Sequence, residues 1–261
     1  MDALPADDPG RGGYLSDLGT SLQARFLRLG HAEDLDAAIE VGRAAVSATV
    51  PAEHRSTVLG NLSNALRLRA ERTGDPRYCD DAVRAAQEAV RTLLDDAQAR
   101  APQLVNLAAA HRQRHVAFGS AEDVDLAVAE YRDALDLARD PQARRMASIG
   151  LGGALTDRFV LRGALDDLDA AVAAARAGVA GGGPAPATAS ATLAVALRER
   201  HRITGHGPDL ADAVLAARAA VTAADGSARA VHLAALGNVL HDALRRWGEA
   251  VLLEILGRRS R

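Results

Sequence analysis

One short pattern recurs six times along the chain at intervals of 42 to 45 residues. Each copy opens with two residues four apart: Leu18 and Leu22, Leu62 and Leu66, Leu107 and His111, Leu151 and Leu155, Leu193 and Leu197, Leu236 and Leu240. Twelve residues after the first Leu stands a glycine: Gly30, Gly74, Gly119, Gly163, Gly205 and Gly248. In the first five copies an Ala-aliphatic pair follows eight residues later (Ala38-Ile39, Ala82-Val83, Ala127-Val128, Ala171-Val172, Ala213-Val214). A repeat of this length is one supersecondary unit that cannot bury its apolar face alone, so the chain must stack neighbouring units rather than fold around a single centre.

Within each period the apolar residues fall three and four apart, as in Leu15, Leu18, Leu22, Phe26 and again in Leu35, Ile39, Val46. That spacing predicts two amphipathic helices per unit with the glycine at the turn. Expected helix pairs span 14–29 and 33–49, 54–72 and 76–96, 99–117 and 122–139, 143–161 and 165–180, and 188–203 and 208–224. Asp34, Asp123, Asp167 and Asp209 are suited to cap the second helices. Pro51, Pro141, Pro184 and Pro186 fall between units, where a missing amide hydrogen does least harm. The fold class expected is all-α: a right-handed α-solenoid of stacked antiparallel hairpins, five full units and a partial sixth. The units are placed at about 14–53, 54–98, 99–141, 142–186, 187–225 and 226–250. Residues 1–13 are expected to be a disordered segment and 251–261 a cap or truncated tail.

Composition narrows the chemistry. Of 261 residues 48% are hydrophobic but only 3% aromatic, which fits helices packed through small side chains. The formal net charge is -3, which argues against a nucleic-acid partner. All 31 basic residues are Arg, so a phosphate-loop lysine, a Schiff-base lysine and a lysine general base are excluded within this sequence. No Gly-x-Ser-x-Gly elbow occurs, and Gly181-Gly182-Gly183-Pro184 lacks the residues of a phosphate loop. The expectation is a protein with no catalytic site and no cofactor. Charged residues interrupt every apolar run, and the start of the chain lacks the basic, apolar character of a signal peptide. A lone cysteine, Cys79, fits a reducing compartment, so a cytoplasmic protein without a membrane partner is expected.

The Leu-Gly-x-x-Leu of the first helix (Leu18-Gly19, Leu151-Gly152, Leu236-Gly237) and the alanines seven apart on the second (Ala38 and Ala45, Ala82 and Ala89, Ala127 and Ala134) resemble the tetratricopeptide repeat over about residues 14–250. The period departs from the usual 34 residues, and the surplus of about seven corresponds to roughly two helical turns, which implies longer helices and a deeper groove. The pattern is similar to the long-period actinobacterial form, which the resemblance links to CHAT peptidase or NTPase signalling proteins. A non-catalytic protein-protein interaction scaffold, holding a peptide or domain in its concave groove, is therefore expected. The alternatives are a sensor or regulatory arm whose effector is encoded by a neighbouring gene, and an enzyme.

Candidate groove residues are Arg25, Asn61, Asn64, Arg69, Asn106, Arg114, Arg158 and Arg200. Five of them, the arginines, stand seven residues past the first Leu in successive units, and Ala243 ends the row. Two readings of that row compete: a basic stripe for an acidic peptide or a nucleotide phosphate, or a ladder paired with the aspartates at the next helix start. His111 and His115 stand four apart, a spacing that could share a metal, but no third ligand accompanies them. Packed or interfacial imidazoles are expected there and no metal. His201 takes the slot of His115, and Cys79 takes that of Leu35 as a small buried residue.

Overall fold

The computed structural model describes residues 8, 10–48, 51–93, 96–183, 186–226 and 228–257, without the side chains of 52, 53 and 249–257. Among the described residues there are eleven helices and no strand: α1 Arg11–Leu29, α2 Ala32–Ser47, α3 Ala52–Thr73, α4 Pro76–Arg91, α5 Ala97–Phe118, α6 Ala121–Leu137, α7 Pro141–Arg162, α8 Leu165–Ala180, α9 Pro186–Thr204, α10 Gly207–Ala223 and α11 Ala228–Gly257. Odd-numbered helices are the first members of the predicted hairpins and even-numbered ones the second. Within the units the second helix of a hairpin packs on the next first helix, α2 on α3, α4 on α5, α8 on α9 and α10 on α11. The chain divides into two compact units, Met1–Gly150 and Leu151–Arg261. The protein is all-α and built of stacked helical hairpins. Pro184 and the tail beyond 257 lie outside the described residues, as do all but two of residues 1–10.

The turn glycines act as the spacing predicts. Gly30, Gly74 and Gly119 end their helices at φ 78°, 68° and 72° with ψ between 8° and 17°. Their amides donate back to the carbonyls of Phe26, Ala70 and His115 at 2.7–2.8 Å. Left-handed backbone is open to Gly and costly for a residue with a Cβ. One expected boundary differs: α4 stops at Arg91 rather than 96, because Asp96 is spent as the N-cap of α5, accepting from the Ala99 amide at 2.9 Å.

Burial follows the repeat. Leu35, Leu66, Leu155, Leu168, Leu197 and Leu210 are fully buried, with Ala65, Ala86, Ala127 and Ala171 between the helices. The residue after the first Leu marks the closest approach within a hairpin. A Cβ at Gly19 would stand 3.3 Å from Val41 Cγ2, and one at Gly152 would stand 3.2 Å from the Ala171 carbonyl oxygen. In the second repeat Ser63 occupies this slot, and its buried hydroxyl donates to the Ala82 carbonyl at 2.8 Å. Only Gly, Ala or Ser leaves room for the facing backbone, which is the physical content of the Leu-Gly pair.

The sixth repeat breaks the scheme. Gly248 has the positive φ of a turn glycine, 75°, but a ψ of 175°, so the chain leaves it in another direction. Gly237 holds the close-approach slot, yet among the described residues nothing lies within 4 Å of a Cβ built there. Leu236 and Leu240, counterparts of the buried Leu62 and Leu66, are half-exposed, while Leu233 is 50% and Val231 67% exposed.

Candidate functional site

The eight candidate residues fall into two groups by the contacts they make, the arginines with aspartates and the asparagines with other amides and hydroxyls. The arginines sit at the glycine-turn end of the first helices, and four of them are engaged by aspartates nine residues ahead. Arg114 donates Nε and Nη2 to the two carboxylate oxygens of Asp123 at 2.9 and 2.6 Å, and Arg200 does the same to Asp209 at 2.8 and 2.7 Å. Arg158 forks onto Asp167 at 2.8 and 2.5 Å, and Arg25 onto Asp34. A planar guanidinium meeting a carboxylate through two parallel bonds is the strongest pairing available to these side chains.

Asp34, Asp123, Asp167 and Asp209 are buried while presenting their carboxylates to arginine. The expectation that they cap the second helices is corrected: each is the third helical residue, three positions past the N-cap, and its carboxylate is turned to arginine. Where a side-chain cap exists it comes from a neighbour, Ser120 for the Asp123 amide and Asp75 for the Arg77 amide. Acid in the first turn still suits the helix dipole. Burial works to raise the carboxyls of Asp123 and Asp209, but the guanidinium bonds outweigh it and hold both below the ordinary value. At Asp34 the Arg25 bond acts in the same direction and dominates.

The row also ties hairpins to one another. Arg69 reaches Asp36 at 2.9 Å, Arg114 reaches Asp80 at 3.3 Å, and Arg200 reaches Asp169 at 3.0 Å, each in the preceding repeat. Arg69 is the exception within its own hairpin, because Tyr78 stands where the other repeats have Asp. Its guanidinium lies over that ring, 6.0 Å from the centroid, and the buried Nε is left without a hydrogen-bond partner. A cation over a ring face retains part of the attraction but offers no acceptor to an N–H in the guanidinium plane.

The asparagines lie on the seam between neighbouring first helices. Asn61 donates to Ser16 Oγ at 2.9 Å, Asn64 donates to Gln23 Oε1 at 2.7 Å, and Gln23 returns a bond to the Asn61 carbonyl at 3.1 Å. Arg67 completes the chain by donating to Asn64 Oδ1 at 3.0 Å. Asn106 bonds Gln103, and a Cβ on Gly60 would overlap the Gln103 amide. Buried Ser16 and Gln23 were missed by sequence reasoning. Only their position on the side of α1 turned toward α3 marks them, and that side is fixed by tertiary packing.

His111 is 2% exposed in the core slot of Leu66 and Leu155, and its Nδ1 lies 2.8 Å from Glu130 Oε2. Glu130 in turn stands where other repeats have Val41, Ala85, Ala174 and Ala216. The two polar residues therefore replace an apolar pair together. Burial pushes the Glu130 carboxyl up, against the His111 bond that favours its charged form. The second nitrogen of His111, Nε2, is buried with no partner. His115 and His201 share one role: Nδ1 of each donates across the glycine turn, to the Ser120 carbonyl at 2.7 Å and the His206 carbonyl at 2.8 Å. His111 and His115 thus face separate partners. Cys79 is buried, which raises its thiol above the ordinary value.

No described helix is long and apolar enough to cross a membrane. The fold and these contacts define a class, an all-α array of helical hairpins held by a ladder of arginine-aspartate pairs. No protein-family model matches the chain, and no curated protein matches its sequence.

Proposed function

We propose that this chain is a non-catalytic scaffold of the long-period tetratricopeptide type, binding a peptide or protein domain along the faces of its first helices in the cytoplasm. The observation that carries the reading is the contrast between core and seam. Core slots keep Leu66, Leu155 and Leu197. The half-exposed seam position of Asn61 becomes Asn106, Thr192 and Ala235 in other repeats, and that of Asn64 becomes Ala109, Val195 and Asn238. A constant frame carrying variable surface positions is how stacked repeats acquire specificity. The arginine row contributes rigidity, since its guanidiniums are occupied by aspartates.

The test is affinity capture from the native host at near-physiological salt, comparing the natural chain with Asn64→Arg plus Val195→Arg. A specific partner retained by the first and lost by the second is the expected result. Recovery of no specific partner would overturn the proposal. A second reading, a sensor or regulatory arm of a CHAT-peptidase or NTPase system, draws on the exposed Val231, Leu233 and Leu244 of α11, an apolar surface suited to an effector. An effector gene beside this one would favour it.

A further inference from the structure

Between α9 and α11 lies an open cleft of about 290 Å³, lined by Arg198, His201, Arg202, Asp242, Arg245 and Arg246. In the first unit the corresponding seam is stitched by the amide chain through Asn61, Gln23 and Asn64. Here one ion pair spans it, Arg198 Nε donating to Asp242 Oδ2 at 2.6 Å. Arg202 is taken up on its own helix by Glu199 at 2.8 Å. Four guanidiniums thus meet two carboxylates, and Arg245 and Arg246 have no carboxylate among the described side chains. Their place in the last turn before Gly248 suits the helix dipole, but that field fills none of their N–H donors. His201 adds a further group. Its Nδ1 holds a proton because it donates to a carbonyl, so Nε2 is the ring nitrogen left to a ligand.

We propose that this cleft is a binding site for a phosphomonoester. The excess of two guanidinium charges matches a phosphoryl group, which carries about −1.5 to −2 near neutral pH. A single carboxylate would compensate only one of them. Arginine forks bind phosphoryl oxygens bidentately, and the His201 Nε2, an acceptor while Nδ1 holds the proton, can take the P–O–H of a singly protonated phosphoryl group. The local positive excess stands out in a chain of net charge -3 and would draw such an anion inward. The ester can be a phosphorylated side chain of a protein or a free phosphorylated metabolite. The site does not depend on the scaffold reading, because either source fits.

Calorimetric titration of the full chain with a phosphoserine peptide, its serine and glutamate counterparts, inorganic phosphate and adenosine monophosphate tests the proposal. Phosphorylated probes are expected to bind, and more weakly as salt rises. The serine peptide is expected not to bind and the glutamate peptide to bind more weakly. The phosphopeptide binding tightest assigns the ester to a protein, and the monophosphate binding tightest assigns it to a free metabolite. Arg245→Gln plus Arg246→Gln, both solvent-exposed, should keep the thermal melt and weaken phosphoryl binding at least about tenfold. Arg245→Lys plus Arg246→Lys should fall between, with charge kept and the fork removed. No binding of any phosphorylated probe at low salt, equal binding by the glutamate peptide, or undiminished binding by the Gln variant would overturn it.

Discussion

The fourth and sixth repeats begin alike and end differently. Both carry Leu-Gly followed by a second Leu, yet a Cβ at Gly152 would stand 3.2 Å from the backbone of α8, while one at Gly237 would meet nothing within 4 Å among the described residues. Leu155 is buried and Leu240 half-exposed. A sequence motif here specifies a surface prepared for a partner helix; in the sixth repeat the described residues leave it open, and the following Gly248 departs from the other turn glycines in its ψ of 175°. The seams differ in the same manner. The amides of the α1–α3 seam are spent on one another, whereas the α9–α11 seam leaves guanidiniums over.

The sharpest way to strain this comparison is in the core slot that the third repeat fills with histidine. His111→Leu restores the residue of its neighbours but strands the Glu130 carboxylate, and should cost about 3–5 kcal/mol in chemical denaturation. Adding Glu130→Ala should recover most of that loss or exceed the natural stability. A double variant as unstable as the single one would mean that the pair is not a unit.

The pH dependence separates the same pair from the ladder. A carboxyl raised on folding, as at Glu130, stabilises at low pH and loses that contribution as pH rises through its folded value. Glu130→Gln should therefore gain on the natural chain as pH rises above the ordinary glutamate value of 4.5. Asp123 and Asp209 have the opposite sign. Their contribution is present above the ordinary carboxyl value of 3.8 and disappears as pH falls through their lower folded values. Denaturant melts carried from neutral pH to below the ordinary aspartate value of 3.8 measure both.

Leu197→Ala in a closed repeat should cost about 2–5 kcal/mol, and Leu240→Ala at the equivalent, half-exposed position less than half as much. The glycines give a change of sign: Gly152→Ala should destabilise by about 1–3 kcal/mol, while Gly237→Ala should stabilise by about 0.5–1 kcal/mol. If both destabilise, a helix covers Gly237 in solution. The smallest effect belongs to the open seam, where Arg198→Ala should cost about 0.2–1 kcal/mol, since its pair with Asp242 is solvated.

Helix positions were readable from apolar spacing and glycine turns because both are local, and ten helices fell within a few residues of expectation except at Arg91. The capping role assigned to Asp34 and its counterparts was not. Arginine nine residues back competes for the same carboxylate, and the offset that lets them meet exists only once the hairpin closes. Of the eight candidate residues, sequence period alone selected the five arginines. Comparing repeats position by position could have marked Tyr78 opposite Arg69 and the joint replacement at His111 and Glu130. Ser16 and Gln23 carry no such mark.

By itself the sequence determined the unit: two helices, a glycine that must adopt positive φ, and a small residue where backbones meet. These follow from periodicity and steric limits that act within one repeat. Tertiary structure decided what each charge does, because a guanidinium is a ladder rung when an aspartate lies within reach and an open donor when none does. That distinction separates Arg200 from Arg245, two residues of one type whose neighbours are set by how α9, α10 and α11 pack.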